Sequence, residues 1–313
     1  MLGKTAGGLF WMFRYLERSE NTARLIDAGF RIALTRPDSA SDEWASVIET
    51  TGVREHYEKK YDKFDFTNVV DFLLRDLENP FSVLASITSA RTNARLVRTA
   101  LTREVWEATN ECWMALADAL KAEVVERQLP ELLRLIRQQN ALVRGAMHGT
   151  MLRNDVYDFA RLGTFIERAD NTARILDVKY YVLLPSAVQI GSAFDNVQWE
   201  TILRSVSAQS AFRHLNGANI NAKSIAEFII LDRRLPRSLA FCYGQIVENI
   251  TYLESDYGQS HPCHGLANTL RTELNERGID EIFEHGLHEF LKIFIEKNNV
   301  LGGQIQRDYR FYE

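Results

Sequence analysis

Two stretches of the sequence, residues 16–27 and 166–177, carry similar side chains in the same order, and seven of their twelve positions are identical. Arginine guanidinium groups bind carboxylates or phosphates, and glutamate carboxylates bind amines. The repeated stretch is therefore a candidate site for a polar ligand. Its polar residues are Arg14, Glu17, Arg18, Asn21 and Arg24 in or beside the first copy, and Glu167, Arg168, Asn171 and Arg174 in the second.

The spacing of these residues indicates a helix. Successive residues of an α-helix are rotated by about 100°, so Glu17, Asn21 and Arg24 fall on one side of it. Apolar residues such as Leu16 and Ile26 fall on the opposite side. Each copy is therefore predicted to be an amphipathic helix that stacks an acid, an amide and a guanidinium one turn apart.

Two interpretations of this polar stripe remain open and are compatible. The stripes can face one cleft and bind a ligand. Alternatively, they can form a buried structural network, because buried charges must be paired. In that network Glu17 would pair with Asn21 and Arg24, and Glu167 would pair likewise with Asn171 and Arg174. We favour the structural interpretation, since positions that recur in both halves usually serve the shared scaffold.

A second group of arginines is a candidate anion site or partner-binding face. Three of them share one helical face, and others flank Pro236. The alternative, which we favour, is ion pairing with acidic residues of neighbouring helices. The candidates are Arg91, Arg95, Arg98 and Arg237, the last beside Arg233 and Arg234.

The sequence lacks the usual marks of metal and cofactor chemistry. The run His261-Pro262-Cys263-His264 has no second ligand cluster, and His285 and His288 are interpreted as surface residues of one apolar helix. We find no phosphate loop, dinucleotide-binding motif, nucleophile elbow or Cys-x-x-Cys motif. We therefore expect no metal and no cofactor, and we interpret Gly302-Gly303 as a helix stop.

Helical periodicity dominates the chain, and no stretch alternates with the period of a β-strand. Prolines and capping residues suggest the helix boundaries. The predicted helices run over about 5–34, from residues 39–42 through Ile48, over 65–74, from Pro80 through Arg95, from Thr102 through Trp113, over 130–147, and over 156–184 before Pro185.

The second half of the chain repeats the first. Trp199 takes the place of Trp44, and the offset between matching residues drifts only from 150 to 156, where Asn249 matches Asn93. This pattern indicates an ancestral duplication. We predict an all-α fold, a single helical bundle in which two duplicated halves, 1–150 and 151–313, are related by a pseudo-twofold axis. The chain would be one domain with its two core helices central.

The composition of the sequence argues against several classes of protein. The net charge of −5 argues against non-specific binding to nucleic acid or anionic membranes. No apolar run approaches the roughly 18 residues that span a bilayer. The apolar patch Leu9-Phe10-Trp11-Met12-Phe13 is too short for a signal peptide. Three widely spaced cysteines fit a reducing compartment, so we expect a cytoplasmic protein.

A series of short motifs runs along the chain in a fixed order. They are Leu9-Phe10-Trp11, Arg14-Tyr15-Leu16-Glu17-Arg18, Asn79-Pro80-Phe81-Ser82, Ala90-Arg91-Thr92-Asn93-Ala94-Arg95, Trp106-Glu107 with Asn110, residues 162–170, Leu183-Leu184-Pro185, and residues 228–238. In this order the motifs resemble the alpha-E family, alpha-helical proteins named for a Glu-Arg motif. The resemblance covers essentially the whole chain.

The resemblance implies a bacterial cytoplasmic protein of a functionally uncharacterised family. Genes of this family commonly lie beside one for a circularly permuted ATP-grasp protein that resembles an amide or peptide ligase. A transglutaminase-like protein, and sometimes a proteasome-like peptidase, accompanies them, and some relatives are fused to the ATP-grasp partner. The family usually has the sequence Ala-Arg-Glu-Asn here, and this chain has Thr92 in place of the glutamate. The Glu-Asn pair is present in the second half as Glu248-Asn249.

We therefore expect an accessory component of an ATP-grasp ligase system that binds the ligase, its peptide substrate or both. An enzyme is the alternative, with Glu17, Glu167 and the matching arginines acting on a peptide or amino acid at a central cleft. A homo-oligomeric scaffold is a third possibility. Burial and mutual pairing of the stripes would favour the first and third hypotheses over the enzyme.

Overall fold

The chain is mostly helical in the residues that the computed structural model describes, which are 1–35, 40–182, 193–217 and 221–312. Within those ranges there are fifteen α-helices and no β-strand, which confirms the all-α prediction. The first seven are α1 (Gly3–Thr35), α2 (Ala40–Thr51), α3 (Arg54–Glu58), α4 (Phe66–Leu74), α5 (Val83–Leu96), α6 (Arg103–Ala119) and α7 (Leu129–Thr150). The others are α8 (Asp155–Val182), α9 (Ala193–Ser205), α10 (Gln209–Asn216), α11 (Ala222–Leu231), α12 (Leu239–Tyr257), α13 (Pro262–Glu276), α14 (Ile279–His285) and α15 (Leu287–Asp308).

Side-chain caps set several helix starts. The carboxylate of Asp65 accepts a hydrogen bond from the backbone N–H of Asn68 at 2.9 Å, and the hydroxyl of Thr102 accepts one from Val105 at 3.4 Å. These caps satisfy backbone donors that have no partner within the helix. The predicted starts of α4 and α6 are therefore confirmed.

The predicted start of α5 is wrong. Pro80 lies in a turn before the helix, and Ser82 caps α5 by accepting a hydrogen bond from the N–H of Ala85 at 3.1 Å. Asn79 shapes that turn, since its amide donates to the carbonyl of Phe72 and its oxygen accepts from the N–H of Phe81. The capping serine two residues after Pro80 overrides the preference of proline for a first helical turn.

The interpretation of Gly302-Gly303 as a helix stop is also wrong, because both glycines lie inside α15. A Cβ built on Gly302 would lie 3.6 Å from Ile166 and 3.7 Å from Arg14, so the position faces the neighbouring helices. His285 and His288 are not on one helix, since Gly286 separates them with a φ of 97°. The predicted stop at Leu183-Leu184-Pro185 and the cap at Ser39 lie outside the described residues.

Helices α1 and α8 lie together at the centre of the fold. They approach closely at Gly163, where an added Cβ would overlap the backbone carbonyl of Phe10. Helices α5 and α7 also pack on α1, while α12 and α15 pack on α8. Asn298 strengthens the contact between α15 and α8, since its amide donates to the carbonyl of Ile166 at 3.1 Å.

Buried apolar residues from both halves form one continuous cluster around this pair of helices. Matching hydrogen bonds also occur in the two halves: Thr22 donates to the carbonyl of Phe81 at 3.4 Å, and Thr172 donates to that of Arg237 at 3.0 Å. The superposition of the halves and the single-domain organisation stay predictions. None of the helices in the described ranges has both the length and the apolarity needed to cross a membrane.

Candidate functional site

The centre of the fold is an exchange of ion pairs between α1 and α8. Arg168 of α8 donates two hydrogen bonds to Glu17 of α1, at 2.9 and 2.8 Å. In the opposite direction, Arg18 of α1 donates two to Glu167 of α8, at 2.6 and 3.1 Å. Such two-point contacts fix both distance and orientation. Each helix therefore supplies the acid for the other helix's arginine.

Each of the two central carboxylates, Glu17 and Glu167, also accepts a hydrogen bond from a further arginine. These two arginines belong to different parts of the chain. Arg14, one turn before Glu17 on α1, donates to Glu167 at 2.8 Å. Arg237, in the turn before α12, donates to Glu17 at 2.9 Å and to the side-chain oxygen of Asn21 at 2.9 Å. The network therefore ties α12 to the central pair.

Glu20 is a third buried acid in the network. Arg24 donates to it at 3.0 and 2.7 Å, and Arg237 donates to it at 2.7 Å. Arg144, which α7 contributes, also forms a short ion pair with Glu20. Two acids, Glu17 and Glu20, thus share four guanidinium groups at the end of the network where α7, α12 and the core helices meet.

Burial and charge act in opposite directions on these carboxyl groups. Glu17 is 2% exposed and Glu167 is 6% exposed. Burial alone would raise the pKa of Glu167, but the attraction of Arg18 and Arg14 outweighs it and lowers the pKa to about 2. The pKa of Glu17 is likewise held far below its usual value, because Arg168 and Arg237 outweigh burial. Both acids are ionised at neutral pH.

Aromatic rings hold the arginine heads in place. The guanidinium of Arg14 lies 4.7 Å from the ring centroid of Trp11, and that of Arg18 lies 4.7 Å from that of Phe81. Such stacking stabilises a cation beside an apolar surface. The arginines are therefore fixed on both their polar edges and their flat faces.

The predicted partners of Arg24 and Arg174 are wrong. Arg24 does not bond Glu17 but reaches back one turn to Glu20, and Arg174 does not bond Glu167 but reaches back to Asp170 at 2.7 Å. Acids and arginines four residues apart are neighbours on a helix surface, which makes these local pairs easy to form.

The two asparagines of the stripe have different surroundings. Asn21 is buried and accepts from Arg237, while its Nδ2 has no partner among the described residues. Asn171 is half-buried and forms no side-chain hydrogen bond with residues in the described ranges.

In the structure, Arg237 does not lie with Arg91, Arg95 and Arg98, the other members of the second group of arginines. Arg237 is buried in the central network. Arg91 instead donates to Asn110 at 2.7 Å and lies 4.1 Å from the ring centroid of Trp113, and Arg98 lies 5.1 Å from that of Trp106. Within the described chain Arg91, Arg95 and Arg98 form no ion pair, so the expected pairing with neighbouring acids is wrong for them.

The motif His261-Pro262-Cys263-His264 forms the start of α13. His264 accepts a hydrogen bond from the backbone N–H of His261 at 2.9 Å, and Cys263 is buried. Across the described ranges, no three His, Cys, Asp or Glu side chains come together as a metal ion would require.

Sequence reasoning missed Arg144 and the place of Arg237 in the central network. Neither residue lies within a repeated polar stretch. Arg144 reaches the network through the packing of α7 on α1, and Arg237 reaches it through the packing of α12 on α8. The one available signal was the position of Arg237 directly after Pro236 and before the capping Ser238. That position fixes the backbone of Arg237 at the edge of the two central helices, α1 and α8.

The fold and the exchanged pairs define an all-helical protein held at its centre by two Glu-Arg motifs. The chain belongs to the alpha-E family, described as a predicted alpha-helical domain with a conserved ER motif, which matches residues 1–310. Uncharacterized proteins of Mycobacterium bovis and of two strains of Mycobacterium tuberculosis are 23% identical to it over 301 residues, 88% of this chain and 32% of theirs. The chain thus spans about a third of the length of these curated relatives. No solved structure matches it.

Proposed function

We propose that the chain is an accessory, non-catalytic component of an ATP-grasp amide- or peptide-ligase system, in which it binds the ligase, its peptide substrate or both. The resemblance to the alpha-E family supplies the system, and a transglutaminase-like protein is a second expected partner. One observation favours an accessory component over an enzyme. Glu17 and Glu167, the acids that an enzyme would need, are buried and paired with arginines.

Paired acids of this kind are poorly suited to catalysis. A general base works best when its pKa lies near the operating pH and when it can reach the proton it removes. The pKa of Glu167 is about 2, and both of its oxygens accept hydrogen bonds from arginines. The carboxylate is therefore a weak base without a free side for substrate. Its contacts instead hold α1 against α8.

An exposed surface on α5 and α6, here called the α5–α6 face, has the composition of a protein interface. Arg91 and Arg98 stack on tryptophans, Arg95 is exposed beside them, and Leu96 is 77% exposed. Tryptophan and arginine are enriched among the residues that dominate binding energies. Stacked guanidinium groups also have less conformational entropy to lose when a partner binds. This face is the proposed docking surface for the ligase.

The length of the relatives supports a component that works beside other domains. The matched region is 32% of each mycobacterial relative, so most of each relative lies outside it. A domain that occurs within longer chains is suited to act together with its neighbours.

The test is reconstitution with an ATP-grasp protein of the kind whose genes commonly accompany this family, taken from the same genome. Purified alone, the chain should not hydrolyse ATP or ligate amino acids. Mixed with the ATP-grasp protein at micromolar concentrations, it should be retained in a pull-down and should change the rate of ATP turnover. Absence of a complex, or turnover by the chain alone, would contradict the proposal.

Charge reversal locates the docking surface. Arg95→Glu should weaken the complex without lowering the melting temperature, because Arg95 is exposed and has no ion-pair partner in the described chain. Arg271→Glu on α13 is the matched control, since it reverses an exposed arginine on another helix. Equal loss of binding in both variants would rule out the α5–α6 face. If Glu17→Gln leaves a folded complex that no longer turns over, the enzyme alternative is favoured.

A further inference from the structure

A second polar region lies apart from the central network, in a cleft of about 400 Å³ between the first turns of α8 and the second half of α12. Small-molecule sites commonly have volumes of about 300–1,000 Å³. The cleft carries charges of both signs. Its charged members are Arg153, Asp158, Arg161, Glu248 and Asp256.

Asp158 is buried without a partner. It is only 4% exposed, it lines the cleft, and its carboxylate forms no hydrogen bond or ion pair with any residue in the described ranges. Burial, with Asp256 and Asp155 nearby, raises the pKa of Asp158 to about 7. The Asp158 oxygens are not among the buried side-chain atoms that lack a partner, so they open onto the space of the cleft. A molecule in the cleft can therefore supply the opposite charge that the protein does not place there.

Arg161 also lacks an acidic partner. Its guanidinium lies 4.3 Å from the ring centroid of Phe165 and donates to the side-chain oxygen of Gln245, but within the described chain it forms no ion pair. Asp158 and Arg161 are three residues apart on α8, and yet they do not pair with each other. The cleft thus presents an unpaired carboxylate and an unpaired guanidinium to the same space.

The shared scaffold does not require these charges. At the offsets of 150 and 156 residues that relate the two halves in sequence, Asp158 and Arg161 match Gly8 and Trp11, and Glu248 matches Thr92. A Cβ on Gly8 would overlap the side chain of Val97, so the first half has no comparable space there. Asp158, Arg161 and Glu248 therefore have no charged counterpart at the matching positions of the first half.

The acids of the cleft are also too dispersed for a metal ion. In the part of the chain that the structure describes, they do not form a group of three potential metal ligands. An ammonium group that is part of a larger molecule suits a single buried carboxylate better, because it donates directional hydrogen bonds. Arg161 then supplies a place for a negative group on the same molecule.

We infer that this cleft binds a small zwitterion with the chemistry of a free amino acid or a dipeptide, its ammonium group at Asp158 and its carboxylate at Arg161. The ligand would supply each of these residues with the opposite charge that the chain does not provide. This inference is independent of the proposed ligase complex, and its test uses the isolated protein.

Isothermal titration calorimetry tests the inference with L-alanine and L-alanyl-L-alanine as probes. One or both should bind at millimolar concentrations, while propionate and n-propylamine, which each lack one charge, should bind at least about tenfold more weakly. Tighter binding of the dipeptide assigns the cleft to peptide termini, and tighter binding of L-alanine assigns it to free amino acids. Binding of neither zwitterion overturns the inference.

Two variants assign the binding to this cleft. Asp158→Asn should weaken zwitterion binding about tenfold or more, and Arg161→Gln should abolish the preference for L-alanine over n-propylamine. The control Glu254→Gln removes an acidic charge from α12, and Glu254 does not line the cleft, so binding should be unchanged. Wild-type affinity in Asp158→Asn would overturn the inference.

A melting curve separates binding from folding. Asp158→Asn removes a buried carboxylate that has no partner in the described chain, so it should melt no lower than the wild type. A lower melting temperature would mean that Asp158 serves the fold and would overturn the inference.

Discussion

Glu17→Gln tests whether the central ion pairs hold the fold together. The change keeps the size of the side chain and removes its charge. In the wild type, Glu17 accepts hydrogen bonds from Arg168 and Arg237 through both oxygens. A glutamine would place its NH₂ group against one of these arginines, so two donors would face each other in a buried site.

The loss should be large because the site already has an excess of positive charge. Four guanidinium groups surround Glu17 and Glu20, and the substitution leaves one acid among them. Removing one partner of a buried ion pair costs about 3–5 kcal/mol. For a chain of 313 residues this corresponds to a melting temperature about 5–8 °C lower.

The effect should depend on pH in a defined direction. The pKa of Glu17 in the folded chain lies below its unfolded value of about 4.3, so the ionised carboxylate stabilises the fold above that pH. The stabilisation is lost as pH falls through the folded pKa. The difference between wild type and variant in free energy of unfolding should be complete at neutral pH and should shrink in acid.

Thermal and urea unfolding at several pH values measure this difference. Glu107→Gln is the matched control, because Glu107 pairs with Arg103 on the surface and its loss should cost less than about 1 kcal/mol. If Glu17→Gln melts within a degree of the wild type, or costs no more than the control, the central pairs do not stabilise the fold.

Three other substitutions separate local from long-range contacts. Arg24→Ala should cost only about 1–2 kcal/mol in urea unfolding, because Glu20 keeps two other arginines, and a larger loss than in Glu17→Gln would contradict this. Gly163→Ala should cost about 1–3 kcal/mol or more, since its methyl group would overlap the carbonyl of Phe10, and an unchanged urea midpoint would refute that close approach. Asn298→Ala should cost about 1–3 kcal/mol in the same assay, because it leaves a buried hydroxyl and a carbonyl without their partner, and a wild-type midpoint would show that water replaces the amide.

Local sequence predicted those parts of the fold that are determined locally. The caps at Asp65 and Thr102 satisfy donors within a few residues, and the helices they start were predicted at nearly the observed positions. Helical periodicity likewise predicted the long core helices, because an apolar stripe must face the centre. Pro80 shows the limit of local rules, since a competing cap two residues later, at Ser82, decides the start of α5.

Long-range pairing could not be predicted in the same way. The repeated stripe identified the acids and arginines of the network, but it gave no information about which helix supplies each partner. The sequence groups Arg237 with Arg91, Arg95 and Arg98 as a candidate anion or partner face, and yet the turn before α12 buries Arg237 against Glu17. Arg144 and the cleft at Asp158 also depend on how separate helices pack, which periodicity does not encode.

The exchanged pairs Glu17–Arg168 and Glu167–Arg18 have the geometry of an isologous interface, in which contact i–j is accompanied by j–i. In a homodimer, one substitution would alter both copies of such a contact at once. Within a single chain each copy can vary alone. Their surroundings differ, since Arg237 joins one pair and Arg14 joins the other. Covalent linkage thus allows residues 151–313 to carry the charged cleft while the matching positions Gly8 and Trp11 carry no charge.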